Sequence, residues 1–362
     1  MKIQKTLTIT IPTWNRATLL EELLDQLISQ VIFYKLENEI EIIISDNCSS
    51  DNTEMLALGY CNANSFLRYS KNDTNLGAKT NVIKSLYLAN SKFVLLLGDD
   101  DRIRQDCLFE IITFLKNHQN TSILIDESKS KSKLATSTPI TLEALLTNYY
   151  WYIGNASFFI FATRNLKYNI DKFGYDFFNE CWPQSQLMIL GNLMDQGDIY
   201  LKDINILNES KHDKVMIYSS FYLWRTCVLE LLNAANDLKE YIPQSSYDAC
   251  RRFMQTNIRQ VFFNILQCGI FVDLPQDRYK TQKHIEEHLK YFSSIEKKHL
   301  SFIILVFKLP TTISRPLSNI FILFFKGIAG LKKKNSFVKS ELIKRMMLTK
   351  DNVTLRKLEF EK

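Results

Sequence analysis

The first half of the chain alternates short apolar runs with stretches whose apolar residues recur at helical spacing. Residues 41–45 (Glu-Ile-Ile-Ile-Ser) form a short apolar run, as expected of a strand covered on both faces. Residues 18–30 carry leucines that line up along one side of a helix. Thr18, with Glu21 three residues later, is predicted to cap this helix, and Ser49 or Ser50 the next one. Strands are predicted at residues 6–11, 41–45, 66–69 and 93–97, and helices at 18–30, after residue 50 and at 78–90.

This alternation predicts βαβ units with right-handed crossovers, and therefore an α/β fold with a mostly parallel sheet flanked by helices. After about residue 120 the pattern loosens, with a basic loop at 129–133, a strand at 153–162 and a helix at 183–194. Residues 217–298 have few glycines and helical apolar spacing. We expect three parts: a catalytic domain at 1–210, a helical extension at 211–298 and an apolar, basic tail at 299–362.

Two intensely apolar segments mark the tail, at residues 302–307 and 320–325. Neither reaches the roughly 20 residues that a helix needs to cross hydrocarbon. Prolines and charged residues lie between them, and Lys332–Lys334 follow. Apolar helices flanked by lysines are typical of segments that lie in a membrane interface. The alternative is a buried helical pair that packs on residues 217–298.

The composition is that of a globular protein, with 46% apolar and 23% charged residues among 362. A net charge of +6 over this length does not indicate nucleic-acid binding. The seven cysteines are scattered without a CxxC pair, which favours free thiols in the cytoplasm. No signal-peptide pattern opens the sequence.

Four polar motifs follow the four predicted strands. Ligands bind at the carboxyl ends of the strands in an open parallel sheet, so all four motifs are expected along one rim. The motifs are Pro12-Thr13-Trp14-Asn15-Arg16, Asp46-Asn47-Cys48-Ser49-Ser50-Asp51, Asn75-Leu76-Gly77 and Gly98-Asp99-Asp100-Asp101.

The aspartate run is the strongest chemical signal among these motifs. Three adjacent carboxylates repel one another when ionised, and a bound cation removes that cost. Carboxylate oxygens suit Mg²⁺ or Mn²⁺, which share their ligand shell with substrate phosphates. The alternative is a solvated acidic turn.

Other rim residues each allow two interpretations. Asp46 either accepts hydrogen bonds from a base or ribose or is a turn residue. Trp14 either stacks on a base or packs at the rim. Gly77 permits a tight turn, and the cations of Arg16 and Lys79 either meet phosphate or are solvated.

Taken together, the four ordered motifs resemble family 2 glycosyltransferases of the Rossmann-like GT-A fold, over roughly residues 5–115. The resemblance implies a nucleotide-diphosphate sugar donor, Mg²⁺ or Mn²⁺ as cofactor, and inversion at the anomeric carbon. It also implies that Thr13 and Trp14 form the first nucleotide-contacting loop and that Asp46 contacts the base. The wider donor-binding set is Pro12, Thr13, Trp14, Arg16, Asp46, Asn75, Gly77, Lys79 and Asp99.

Within the family's DXD motif, Gly98 stands where the first aspartate is often found. Asp100 is then expected as the main metal ligand, with Asp99 near the ribose and Asp101 in support. An inverting transfer also needs a general base, and the resemblance implies that an acidic residue downstream of the motif has this role. Glu180 precedes a predicted helix at a suitable distance, and Asp176 is the alternate. Glu180 could instead only favour the helix N-terminus. Trp182 could stack on a sugar, and His212 could be a late metal ligand.

These features predict a glycosyltransferase of bacterial polysaccharide (O-antigen or capsule) biosynthesis, peripheral at the inner face of the cell membrane. Its acceptor is expected to be a saccharide, on a lipid carrier, with no nucleic-acid partner. A nucleotidyltransferase would need a Gly-rich loop after the first strand, where this chain has Pro12 and Trp14. A non-catalytic nucleotide-sugar-binding or scaffold subunit is the remaining alternative. The position of Glu180 relative to the Asp100 cleft distinguishes it from the enzyme.

Overall fold

A computed structural model describes residues 4–126, 138–149, 157, 159–207, 220–271 and 273–329. The basic loop at 129–133, His212, Lys332–Lys334 and part of the strand predicted at 153–162 lie outside the described residues. The strands are β1 (Leu7–Thr13), β2 (Ile40–Asp46), β3 (Leu67–Lys71), β4 (Phe93–Leu96), β5 (Thr121–Asp126), β6 (Phe159–Ala162) and β7 (Asp198–Lys202).

The helices follow the strands in the first half of the chain and then dominate the second. They are α1 (Ala17–Phe33), α2 (Thr53–Ala63), α3 (Ala78–Tyr87), α4 (Cys107–Asn117), α5 (Leu142–Tyr149), α6 (Leu166–Phe173), α7 (Pro183–Asp195), α8 (Ser220–Trp224), α9 (Leu231–Asp237), α10 (Gln244–Phe271), α11 (Pro275–His288), α12 (Ser294–Lys308), α13 (Thr311–Ser314) and α14 (Ser318–Ala329). A π-helical stretch, Arg225–Glu230, joins α8 to α9.

The described strands form one seven-stranded sheet in the order β3-β2-β1-β4-β6-β5-β7. Neighbouring strands are parallel except where β6 pairs with β4 and β5, so the predicted mostly parallel sheet is confirmed. β1 and β2 are in register from Leu7↔Ile40 to Thr13↔Asp46. Their carboxyl ends therefore lie side by side, which places the motifs that follow them next to each other.

The core beneath this rim is aliphatic. The leucine stripe of α1 packs with β1, β2 and β4 in one buried cluster, as the spacing predicts. Burial of such side chains contributes about 1.5–3 kcal/mol each relative to exposure. The core therefore holds the strand ends in fixed positions and leaves the loops above them to carry polar groups.

The helix caps differ from the prediction. α1 begins at Ala17, so Thr18 lies inside its first turn, and no side chain caps the helix from the N-cap position, Arg16. The Asp51 carboxylate instead accepts hydrogen bonds from the backbone N–H groups of Ala17 and Thr53, at 3.2 and 3.0 Å. The predicted capping box was wrong because α1 starts one residue earlier than expected. One aspartate therefore serves the first turns of both α1 and α2.

The chain divides into two compact units, Met1–Val215 with Glu230–Met254, and Met216–Leu229 with Gln255–Lys362. This division differs from the three parts expected from the sequence. Residues 230–254 group with the sheet, and the boundary expected at 298/299 falls inside α12. The first unit therefore contains the sheet and every rim motif.

In the second unit, α12 packs closely on α10 through a glycine. A Cβ atom at Gly269 would meet the Phe307 ring at 2.1 Å, so only glycine accommodates this approach. Arg278 is buried in the same unit, where it donates to the Val306 carbonyl and to the Ser314 hydroxyl. None of the described helices has both the length and the apolarity needed to cross a bilayer.

Candidate active site

The loop after β1 contacts the loop after β4 through a buried hydrogen bond. The Thr13 hydroxyl donates to Asp99 Oδ2 at 2.8 Å, and both residues are buried. Arg16 Nη1 lies 2.8 Å from Asp99 Oδ1 in an ion pair. Burial raises the pKa of Asp99, against the opposing influence of Arg16 and Thr13. Asp99 is thus fully engaged in joining the two loops.

The loop after β2 is joined to the loop after β1 by Asn15. Its backbone N–H donates to Ser49 Oγ at 2.8 Å, and its side-chain oxygen accepts from the Ser50 N–H at 2.8 Å. Asn15 and Cys48 both have positive φ, 52° and 64°, which non-glycine residues seldom adopt. Such conformations persist where the surroundings over-determine them, often at functional sites.

A second asparagine, Asn47, joins the loops after β2 and β3. Its Nδ2 donates to Asn75 Oδ1 at 2.8 Å, and its Oδ1 accepts from the Leu76 N–H at 2.9 Å. Asn75 also accepts from the Gly77 N–H, and Gly77 has a φ of 80°. These contacts confirm that the four motifs meet along one rim of the sheet.

Asp101 closes the turn that carries the aspartate run. It accepts from the Gly98 N–H at 2.8 Å and from the Ser157 hydroxyl. Desolvation raises the pKa of Asp101 to about 6, although both hydrogen bonds oppose the shift. A Cβ at position 98 would lie 3.0 Å from Asp100 Oδ1 and 3.2 Å from Asp101 Oδ2. A glycine there, in place of the family's aspartate, therefore lets this turn close tightly.

Asp100 differs from its two neighbours because its side chain is 52% exposed. Its only described ion pair is with Arg16, at 3.5 Å. Among the three aspartates, Asp99 and Asp101 are occupied by protein donors, whereas Asp100 offers its oxygens to solvent. An open carboxylate of this kind fits a hard divalent cation that shares its shell with phosphate and water.

Asp46 has no exposed surface in this structure. One of its oxygens accepts from the N–H and hydroxyl of Ser49, and the other accepts from the Tyr69 hydroxyl at 2.6 Å. A direct contact with a base would require one of these bonds to open. Trp14, by contrast, is 50% exposed at the rim.

A cleft of about 220 Å³ opens beside the rim. Pro12 near the end of β1, Lys79 in the first turn of α3 and Gly98 in the loop after β4 line it together with Glu180. Lys79 Nζ lies 2.8 Å from Glu180 Oε1. α3 begins at Ala78, which also lines the cleft, and no side chain caps this helix. Anions are favoured at such a helix N-terminus.

Glu180 stands on a turn that buried Asn179 organises. Asn179 Oδ1 accepts from the N–H groups of Cys181 and Trp182, and its Nδ2 donates to Glu230 Oε2 at 2.8 Å. Asp176 is exposed in the 3₁₀ turn Tyr175–Phe177, and the described residues that line the cleft do not include it.

The sequence analysis missed three residues that shape this site: Asn47, Ser157 and Asn179. Asn47 and Asn179 each neighbour a predicted site residue, so a polar residue beside a candidate was an available signal. Ser157 lies 56 residues from Asp101 in an irregular stretch, and nothing local indicates the contact.

Comparisons with known proteins agree with this geometry. Residues 8–171 match the family model of Glycosyl transferase family 2. Abequosyltransferase RfbV of Salmonella typhimurium is 41% identical over 106 residues, 29% of this chain and 31% of that protein. Poly(ribitol-phosphate) beta-N-acetylglucosaminyltransferase TarS of Staphylococcus aureus is 31% identical over 120 residues, 32% of this chain and 20% of that protein. The match thus spans less than a third of the length of either curated relative.

Solved structures extend the likeness to most of the chain. Residues 1–349 of S. aureus TarS superpose with a TM-score of 0.55 at 17% identity, covering 84% of this chain and 91% of that one. The mannosyltransferase PcManGT of Pyrobaculum calidifontis, in complex with GDP-Man and Mn²⁺, gives 0.52 at 13% identity and covers 88% and 89%. The GT-A fold expected from the motifs is therefore confirmed. The resemblance to family 2 glycosyltransferases is therefore confirmed over residues 8–171, somewhat less than half of the chain.

Proposed function

We propose that the protein is a glycosyltransferase that moves a sugar from a nucleotide-diphosphate donor to a saccharide acceptor with inversion. One observation carries the proposal: the candidate base Glu180 lines the same cleft as Pro12 of β1, Lys79 of α3 and Gly98 of the aspartate turn. A scaffold subunit would have no need for a carboxylate at this place. The names of both curated relatives, which are sugar transferases, support the same reaction class.

Asp100 is the proposed main ligand of a divalent cation, because it is the open carboxylate of the aspartate turn. The complex of PcManGT with GDP-Man and Mn²⁺ supports this choice of cofactor. Such an ion, when bound, would supply positive charge to the diphosphate of the leaving nucleotide. Asp99 is proposed to position Thr13 and Arg16 through its hydrogen bonds to them.

The transfer needs two further contributions from the protein. As the acceptor oxygen bonds to the anomeric carbon, the bond from that carbon to the diphosphate oxygen breaks. Glu180 takes the proton of the attacking hydroxyl, with Asp176 as the less favourable alternative because the cleft lining does not include it. The cations of Lys79 and Arg16 stabilise the departing diphosphate. Exposed Trp14 is proposed to stack on the base, with Asn75, Gly77 and Asp46 shaping its pocket.

The acceptor is proposed to be part of a bacterial surface polysaccharide. TarS is named for transfer to poly(ribitol phosphate), and RfbV for transfer of abequose, which supports a glycan or glycan-like acceptor. None of the seven cysteines, all of which lie in the described residues, forms a disulfide, which supports a cytoplasmic location.

We also propose that the second unit contacts an anionic membrane surface, where a lipid-linked acceptor would reside. α14 is apolar on two sides. Phe325 is buried against Phe263 and Phe302, whereas Ile320, Leu323 and Phe324 on the opposite side are exposed. A helix that is apolar all round is normally buried on every side. Lys326 lies on the same helix, and a cation at that position complements anionic headgroups.

Flotation with vesicles tests this membrane contact. Wild type should float with vesicles that contain anionic lipid and much less with neutral ones, and Leu323→Ser with Phe324→Ser should abolish flotation. A matched pair, Met55→Ser with Leu58→Ser, removes exposed apolar side chains of α2 and should leave flotation unchanged. A wild type that stays with the aqueous phase, or that dimerises through α14 instead, would contradict the membrane proposal.

The enzymatic proposal is tested by screening UDP-, GDP-, CDP- and dTDP-sugars for Mn²⁺-dependent hydrolysis or binding, with Asp100→Asn alongside. One donor consumed by wild type and spared by Asp100→Asn would establish the reaction class and identify the sugar. If no donor binds with metal and lipid present, the scaffold subunit becomes the better account.

A further inference from the structure

The ion pair between Lys79 and Glu180 joins a packed side chain to an exposed one. The Lys79 side chain is 14% exposed, so its stem is packed and its ammonium is fixed at the wall of the cleft. The Glu180 side chain is 57% exposed, on a turn anchored at Asn179. An exchange of partners at Lys79 would therefore move the exposed Glu180 side chain and not the packed Lys79 side chain.

Both proposed ligands of Lys79 are anions. In this structure the Lys79 ammonium contacts the Glu180 carboxylate, with 2.8 Å between Nζ and Oε1. A donor diphosphate in the same cleft, at the start of α3, would carry a larger charge and several acceptor oxygens. We infer that the donor diphosphate and Glu180 compete for Lys79, so that donor binding opens the ion pair and frees the Glu180 carboxylate. This inference rests on the proposed function.

The exchange would order the reaction. While the Lys79 ammonium contacts Glu180 Oε1, that oxygen is not available to the hydroxyl of an acceptor. Glu180 would become an effective base only after the donor has taken Lys79, when a leaving group is in place. Lys79 is thus a positioning residue for Glu180 as well as a contact of the diphosphate.

Linkage makes the competition measurable without turnover. If the donor displaces Glu180 from Lys79, donor binding has to break the Lys79–Glu180 ion pair. Removing the charge of residue 180 must then strengthen donor binding by the free energy that this ion pair contributes. Partly exposed ion pairs contribute up to about 1 kcal/mol, so Glu180→Gln should bind the nucleotide roughly two- to fivefold more tightly. A base that acts only on the acceptor would leave this affinity unchanged.

The experiment is calorimetric titration of UDP, GDP, CDP and dTDP with Mn²⁺ into wild type, Glu180→Gln, Lys79→Met and the double variant. We expect tighter binding by Glu180→Gln, weaker binding by Lys79→Met, and no further gain when Glu180→Gln is added to Lys79→Met. Glu180→Gln should at the same time lose sugar transfer.

The control pair is Lys116 with Glu39, which joins the end of α4 to the residue before β2. It lies at the amino ends of the strands, opposite the rim. Lys116→Met and Glu39→Gln should leave nucleotide binding unchanged, and thermal unfolding should verify that every variant is folded. Unchanged or weaker binding by Glu180→Gln overturns the exchange, as does a gain that persists in the Lys79→Met background. Failure of wild type to bind any of the four nucleotides refutes the proposed function itself, and the exchange with it.

Discussion

Thr13 and Asp99 are 86 residues apart in sequence, and the Thr13 hydroxyl donates to Asp99 Oδ2 at 2.8 Å. This buried contact joins the loop after β1 to the aspartate turn after β4. Arg16 donates to the other oxygen of Asp99, while the side chain of the next residue, Asp100, is 52% exposed. The availability of one aspartate therefore depends on the engagement of its neighbour.

Replacing Thr13 with valine tests this relationship. Thr13→Val keeps the shape of the side chain but leaves Asp99 Oδ2 without its donor, which should cost about 1–3 kcal/mol of stability. Nucleotide binding with Mn²⁺ should weaken by roughly tenfold, since 1.4 kcal/mol corresponds to that factor. Denaturant unfolding and titration measure the two effects, and Thr13→Ser, which retains the hydroxyl, is the control. Wild-type behaviour of Thr13→Val would show that the contact is incidental.

Neutralising Asp100 should affect nucleotide binding, whereas neutralising Asp101 should affect stability. Asp100→Asn removes an exposed carboxylate, so the melting temperature should stay near that of wild type while Mn²⁺-dependent nucleotide binding is lost. Asp101→Asn changes the carboxylate that accepts hydrogen bonds from the Gly98 N–H and the Ser157 hydroxyl. This change should lower the melting temperature. Thermal unfolding and titration of both variants provide the comparison. Metal-dependent binding that survives in Asp100→Asn would assign the metal to another residue.

In the second unit, stability should depend on pH through Asp273. It is buried, where the N–H and hydroxyl of Ser220 donate to its carboxylate, and desolvation raises its pKa to about 6. The pKa of an aspartate in the unfolded chain is about 3.9. Between about pH 3.9 and pH 6 Asp273 is therefore protonated in the folded protein and ionised in the unfolded chain. This contribution is complete below about pH 4 and is lost as pH rises through 6, amounting to at most about 3 kcal/mol.

Comparing wild type with Asp273→Asn isolates the pH-dependent stability that comes from Asp273, because all other titrating groups are the same in both proteins. The melting temperature of wild type relative to the variant should fall between about pH 4 and pH 6.5 and then level off. Parallel curves over this range would mean that Asp273 titrates normally in the folded protein.

Cysteine labelling should report on the cleft. Burial raises the pKa of Cys107, Cys250 and Cys268 to about 12, so these thiols should resist iodoacetamide at pH 8. Cys181 lines the cleft and is partly exposed, so it should react, and a bound nucleotide with Mn²⁺ should slow its labelling. Mass spectrometry of each cysteine peptide measures the rates. Equal labelling of Cys181 with and without nucleotide would place the ligand away from this cleft.

Much of the fold was predictable because its signals are local. The spacing of apolar residues identifies β1 to β4 and the helices that follow them. Because each strand is followed directly by a polar motif, the motif must lie at the carboxyl end of that strand. The antiparallel strand β6 was not predictable in the same way, since its direction depends on β4 and β5 as neighbours and on no feature of residues 159–162 themselves.

By itself the sequence determined the parallel sheet, the four motifs along its rim and the presence of an aspartate turn, because each follows from residues adjacent in the chain. Only the tertiary structure decided which aspartate is open. From the sequence, Asp46 was expected to contact the base and Asp99 to lie near the ribose. In the structure Tyr69, Thr13 and Arg16 occupy these two carboxylates, whereas Asp100 is left to solvent. The pairing of Glu180 with Lys79 likewise came from folding. The physical reason is that burial and ion pairing depend on side chains brought together from distant parts of the chain, which no local pattern encodes.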